Sequence, residues 1–134
     1  MKTLKKLTLL SCLVLGLSLL TISCKKDTPA PLKTLDGKFV GHSNVPLDPT
    51  NYFLSFSFNA DKTLTIYDEN NLMAGVGTWT LNGDVLTGDL TFTGSPSQFS
   101  FTSIFDAKTG IIASGTWGFK PNTAGLATFT MTKQ

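Results

Sequence analysis

Side chains able to do chemistry are sparse in this chain of 134 residues. His42 is the only histidine, a poor start for a metal site that needs several converging nitrogen, sulfur or oxygen donors. The alternation around it sets His42 on the outward face of a strand, with Lys38 and Asn44. Asp68-Glu69-Asn70-Asn71 is acidic and amide-rich, and oxygen ligands in a flexible loop have the chemistry to hold Ca²⁺. EF-hand spacing is missing there, and turns use these residue types for backbone reasons. No nucleophile elbow surrounds a serine, and no glycine-rich phosphate loop leads into a helix. The expectation is a protein that is not an enzyme and carries neither metal nor cofactor.

Charge narrows the partners further. Arginine, the residue best suited to bidentate phosphate and guanine contacts, is absent from the chain. From Cys24 onward eight lysines face nine acidic residues, so no basic stripe marks a nucleic-acid surface. Nucleic acid is excluded as an expected partner.

Few reactive groups leave the elements to speak. From Phe39 onward the apolar pattern has period two, with no segment of helical period. Leu54, Phe56 and Phe58 alternate with serines; Leu64 and Ile66 alternate with threonines; Leu86, Leu90 and Phe92 oppose Thr87, Asp89, Thr91 and Thr93. Phe99, Phe101 and Phe105 follow, then Ile111, Ala113, Trp117 and Phe119, and last Ala127, Phe129 and Met131. Turn residues separate the runs, with Asn82-Gly83 the strongest hairpin signal. The pattern predicts eight strands, at 38–45, 52–59, 63–68, 74–81, 84–94, 97–106, 110–119 and 125–132. Such strands, each with one apolar face, must cover that face and their edges. An all-β, single eight-stranded antiparallel up-and-down barrel does both, with an interior that is filled or holds one small ligand. A two-sheet β-sandwich is the alternative. A membrane-spanning barrel does not suit an apolar face this aromatic and closely spaced.

The first residues read as an address. Met1-Lys2-Thr3-Leu4-Lys5-Lys6 is basic, an apolar run extends from Leu7 to Ile22, and the chain turns polar after Ser23-Cys24. That order describes a cleaved signal peptide over residues 1–23, with an apolar run too short for a membrane span. Thr21-Ile22-Ser23-Cys24 resembles the lipobox of bacterial lipoproteins, with Thr21 where the pattern prefers leucine. Leu9-Leu10-Ser11-Cys12 matches better locally but would leave too little apolar sequence before the cut, so Cys24 is the expected lipid attachment site. The resemblance implies at least two acyl chains, which hold a membrane stably. Lys25, in place of a retention aspartate, implies the outer membrane, with its periplasmic and surface faces both open. Residues 24–33 read as a tether and residues 34–134 as one domain. With Cys24 lipidated and Cys12 removed, no disulfide is left to form.

Leu35-Asp36-Gly37-Lys38-Phe39-Val40-Gly41 resembles the opening Gly-x-Trp motif of lipocalin-like domains, with Phe39 in the tryptophan's place. The arginine that packs across that position in the family has no counterpart here. The resemblance implies a meandering eight-stranded barrel with an internal site for small, often apolar molecules. Two functional readings follow. In the first, the barrel binds a small apolar or amphipathic ligand at one mouth, with space left by Gly77, Gly88, Ala113 and Gly115. Candidate rim residues are Asn44, Tyr67, Asn70 and Asn122. Gly77-Thr78-Trp79 echoes Gly115-Thr116-Trp117, so Trp79 and Trp117 either form a ligand platform or fill the core. In the second reading, a threonine-rich outer face meets a partner protein of the envelope and no ligand is bound.

Overall fold

The structure, a computed structural model, describes residues 31–134. The expected signal peptide, both cysteines and the start of the tether lie outside the described residues. Eight strands follow one another: β1 (Gly37–Asn44), β2 (Asn51–Phe58), β3 (Thr63–Tyr67), β4 (Met73–Asn82), β5 (Val85–Phe92), β6 (Gln98–Asp106), β7 (Ile111–Phe119) and β8 (Ala127–Lys133). Each pairs antiparallel with the next, and β8 closes on β1 from Phe39↔Lys133 to Asn44↔Thr128. The architecture is thus the up-and-down barrel and not the sandwich. Closure leaves no edge strand to template aggregation.

Alternation along each strand sends aromatic side chains inward. Phe39, Phe56, Phe58 and Phe101 are essentially inaccessible, as are Leu64, Leu86, Leu90, Ile112 and Met131. Burying each such side chain stabilises by roughly 1.5–3 kcal/mol. The rings form two separate networks. The deeper one links Phe39, Phe58, Phe105, Phe56, Phe101, Phe129 and Trp79. Midway along the barrel Phe56, Phe101 and Phe129 form a triangle, with centroids 5.9–6.2 Å apart. The second network joins Phe92, Phe99, Trp117 and Phe119 near one end.

Three of the four positions expected to leave space face inward, but the rings and backbone of neighbouring strands occupy that space. A Cβ added at Gly88 would stand 2.5 Å from the Phe101 ring, and one at Gly115 2.5 Å from the Phe129 ring. At Gly77 the obstacle is the Asp89 carbonyl, at 2.1 Å. Ala113 faces outward, opposite the half-exposed Ile104. A register shift in β7 explains this. Between Ile112 and Gly115 one extra residue is inserted, and Ser114 takes a left-handed φ of 52°. The bulge restores the inward phase at Gly115, Trp117 and Phe119 while making Ile112, not Ile111, the buried residue.

The two ends differ. At the lower end the chain entering β1 crosses the barrel and plugs it. Lys33 donates its amide to Ala107 O (2.7 Å) and its Nζ to Thr109 O (2.9 Å). Lys133 Nζ donates to Thr34 O (2.7 Å), and Leu35 drops into the core at 4% exposure. The upper end is ringed by residues 45–50, 68–72, 93–97 and 120–126, the links between successive strand pairs.

Candidate functional site, the upper mouth of the barrel

Phe39 sets the inward phase of β1, so Gly41 and Ser43 share its face and Ser43 ends near the upper rim. Leu54 does the same on β2, Phe92 on β5 and Trp117 on β7. Ser43, Leu54, Phe92 and Trp117, with Val45, Tyr52 and Phe53, line a cavity of about 320 Å³. That is the low end of the roughly 300–1,000 Å³ typical of small-molecule sites. The wall is largely apolar, and two polar atoms of its residues lie behind it without accessible surface. Trp117 Nε1 and Ser43 Oγ are both cut off from solvent, and neither has a hydrogen-bond partner in the protein. An unpaired buried donor costs about 1–3 kcal/mol, so groups of this kind are rare in folded proteins and ask for a reason. Ser55 Oγ and Ser103 Oγ are also unpaired, but neither lines this cavity.

One side of the rim is latched. Tyr52 donates its hydroxyl to Asp48 Oδ2 (2.5 Å), and Asp48 Oδ1 accepts the Thr50 amide (2.8 Å). The Tyr52 bond, then those from Thr50, hold the Asp48 carboxyl below its ordinary pKa, and the same contact raises that of Tyr52. The Tyr52 hydroxyl is thereby occupied, leaving its ring against the cavity.

The residues expected from sequence are spread over the barrel. Trp117 lines the mouth. Trp79 sits toward the opposite end, 5% exposed, and its Nε1 donates to Thr63 O (3.0 Å) and Asn59 O (3.2 Å). Lys62 Nζ lies 3.8 Å from the centre of its ring. The echoed motif therefore places one indole with its donor satisfied and one without. Tyr67 is on the outer face beneath Lys38 Nζ, 5.2 Å from the ring centre. Asn44 is outward at the end of β1, over a shallow groove with Ser114 and Thr128. Asn122 belongs to a link folded over the outer face of β7, where Gly118 makes room for the Asn122 and Ala124 carbonyls. Asn70 is exposed in the β3–β4 turn, and its amide donates to Asp68 Oδ1 (2.9 Å). Asp68 Oδ1 also accepts the Leu72 amide, so that carboxylate shapes its own turn. Among the described residues no group of three His, Cys, Asp or Glu side chains converges as metal ligands would.

Two other places carry polar chemistry. On the outer wall Ser100 donates to Asp89 Oδ1 (2.6 Å) and Lys120 pairs with Asp89 Oδ2 (2.8 Å). Lys120, then Ser100, lower the Asp89 pKa. The lysine rests on the aspartate and not on the serine, so the trio clasps β5 and β6 to the end of β7. At the lower end a wider depression of about 850 Å³ runs beside the N-terminal segment, lined by Leu32, Trp79, Leu81, Ile104 and Phe105. Its indole, Lys33 and Asp106 already have partners within the protein. The mouth is the more apolar of the two, and Ser43 and Trp117 in its lining each carry an unpaired buried polar atom.

Sequence reasoning missed Ser43, Val45, Tyr52, Leu54 and Phe92 as mouth residues. A signal existed for Ser43, since period two from Phe39 passes through it and not through Asn44. No family model, curated protein or solved structure matches this chain.

Proposed function

We propose that this protein is a bacterial lipoprotein, anchored by lipid on Cys24 to the outer membrane, whose lipocalin-like barrel binds a small apolar or amphipathic molecule at its upper mouth. The observation that carries the binding half is the apolar cavity of about 320 Å³ at the upper mouth, walled by Leu54, Phe92 and Trp117. The anchoring half is supported by the basic start, the short apolar run and Ser23-Cys24. Native mass spectrometry of the full protein extracted from its own envelope tests binding. A retained small molecule, lost from a Trp117→Ala variant, is the expected result. A bare protein mass in both would count against it.

A second reading has its own support. Leu47, Leu72 and Met73 stand exposed around the upper end, and Leu47 takes a left-handed φ of 69°, strained for so bulky a residue. Apolar side chains held out in this way suit contact with a partner envelope protein. Crosslinking from Leu47→Cys in intact cells should capture one reproducible partner if that reading is right.

A further inference from the structure

The outward side chains of β5, β6 and β7 change character at one level of the barrel. Their lowest row is apolar, with Val85 opposite Ile104 and Ile104 opposite Ala113. The row above is Thr87, Thr102 and Thr116, and the next sets Asp89 and Ser100 beside Gly118. Ile111 extends the apolar area down β7, and Leu32 and Leu81 join Ile104 around the depression at the lower end. Val85, Ile104, Ile111, Leu32 and Leu81 all stand exposed. The outward face of a closed barrel needs no apolar side chain to fold, and a contiguous exposed patch marks a surface that meets something apolar.

The chain itself points to the occupant. Leu32 leads into Lys33, whose amide is fixed to Ala107 O, so the segment from Cys24 enters the barrel on this patch. With lipid on Cys24, nine residue-to-residue steps of at most about 32 Å keep the patch beside a membrane. A step from aliphatic to hydroxyl side chains at one level matches the depth profile of a bilayer surface, apolar toward the acyl chains and polar toward water. Charge is not the attraction, because Lys33, Lys62 and Lys108 around the depression are matched by Asp36, Asp84 and Asp106. We propose that the lower end, on its β5–β7 side, rests on the membrane that holds the lipid. Val85, Ile104, Ile111 and Leu32 sink into the boundary between headgroups and acyl chains, and the threonine row marks the water line. This inference rests on the lipid anchor at Cys24.

The test uses the full lipidated protein in phosphatidylcholine vesicles, alone or mixed with phosphatidylglycerol. Flotation with the vesicles and the mass of the lipidated chain check the anchor by themselves. A fluorophore is attached at Val85→Cys or at Thr91→Cys, on the same face of β5 and about 20 Å further along the strand. The Val85 site should be quenched by a nitroxide in the bilayer and shielded from aqueous iodide, and the Thr91 site should show the reverse. With the probe at Ile111→Cys, Ile104→Asp should lower the ratio of docked to free barrel by about three- to tenfold, as the loss of one partly exposed aliphatic contact implies. Leu32→Asp, outside the strands, should do the same, and flotation should be unchanged in both. Equal iodide access at Val85 and Thr91 in protein that floats overturns the docking and keeps the anchor. Shielding of Val85 without quenching from the bilayer, growing with protein density, overturns it in favour of a second copy of the chain. Docking that needs phosphatidylglycerol and is abolished by salt overturns the apolar contact and assigns the surface to its lysines. A chain that carries no lipid and does not float overturns the anchor, and the docking with it.

Discussion

Two indoles in near-identical local sequence have opposite roles, and the difference lies in what stands opposite each nitrogen. Trp79 Nε1 meets the carbonyls of Asn59 and Thr63, so its ring is tied to the β2–β3 turn. Trp117 Nε1 meets nothing in the protein. Substitution by phenylalanine should therefore separate them. Trp79→Phe removes the indole donor from two carbonyls that keep their backbone amide partners and leaves a smaller ring under Lys62, a loss of about 0.5–1.5 kcal/mol in chemical denaturation. Trp117→Phe deletes a donor that contributes no protein hydrogen bond, and its unfolding free energy should fall by less than that of Trp79→Phe. If Trp117→Phe proves the more destabilising of the two, the picture of an unsatisfied indole is wrong. The Gly-Thr-Trp echo made both residues visible in the sequence. It could not distinguish them, because the distinction depends on carbonyls from a turn far away along the chain.

At the level of strands and turns, period two and turn chemistry were enough to locate all eight strands to within two residues of their observed ends. Two details escaped, each a matter of one residue. The β4–β5 hairpin turns on Gly83-Asp84 with Gly83 at a φ of 63°, while Asn82 still pairs with Val85 in the ladder. The bulge at Ser114 exchanges the faces of Ile111 and Ile112, and nothing in a run of small and β-branched residues announces an inserted one. The bulge delivers Gly115 beneath the Phe129 ring, so Gly115→Ala should force that ring aside at a cost of about 1–3 kcal/mol. Thermal or denaturant unfolding measures it; a neutral result would mean that the ring has somewhere else to go. The rim latch has a pH signature. Because Tyr52 and Thr50 hold the Asp48 pKa below its ordinary value, the latch adds stability that is complete above the ordinary carboxylate range. It is lost as pH falls through the lowered value. Protection of the amides in residues 45–50, taken against the intrinsic exchange rate at each pH, should fall in that acidic window, and Tyr52→Phe should show the lowered protection already at neutral pH.

For the molecule as a whole, the plug at the lower end and the cavity at the upper end give the barrel a direction. Lys33 and Leu35 fix the entering chain to the lower end, where the β6–β7 turn and the end of β8 also lie. The nine residue-to-residue steps from Cys24 to Lys33 reach at most about 32 Å when fully extended. With lipid on Cys24, the plugged end would stay within that reach of the membrane, and attachment at that end favours a mouth turned away from the bilayer. In that orientation a ligand would arrive from the aqueous phase. The anchor itself is checked by acyl labelling in cells. Cys24→Ala should abolish lipidation and release the protein from membranes, whereas Cys12→Ala should leave both unchanged. Orientation is checked on the lipidated protein with a fluorophore at Leu47→Cys or at Lys108→Cys and a quencher placed in the headgroup layer. Lys108 lies in the turn that holds Lys33, and Leu47 in the rim beside the cavity. Quenching should be stronger at Lys108 than at Leu47. The reverse order would put the mouth against the bilayer, and the ligand would then have to be sought among its lipids.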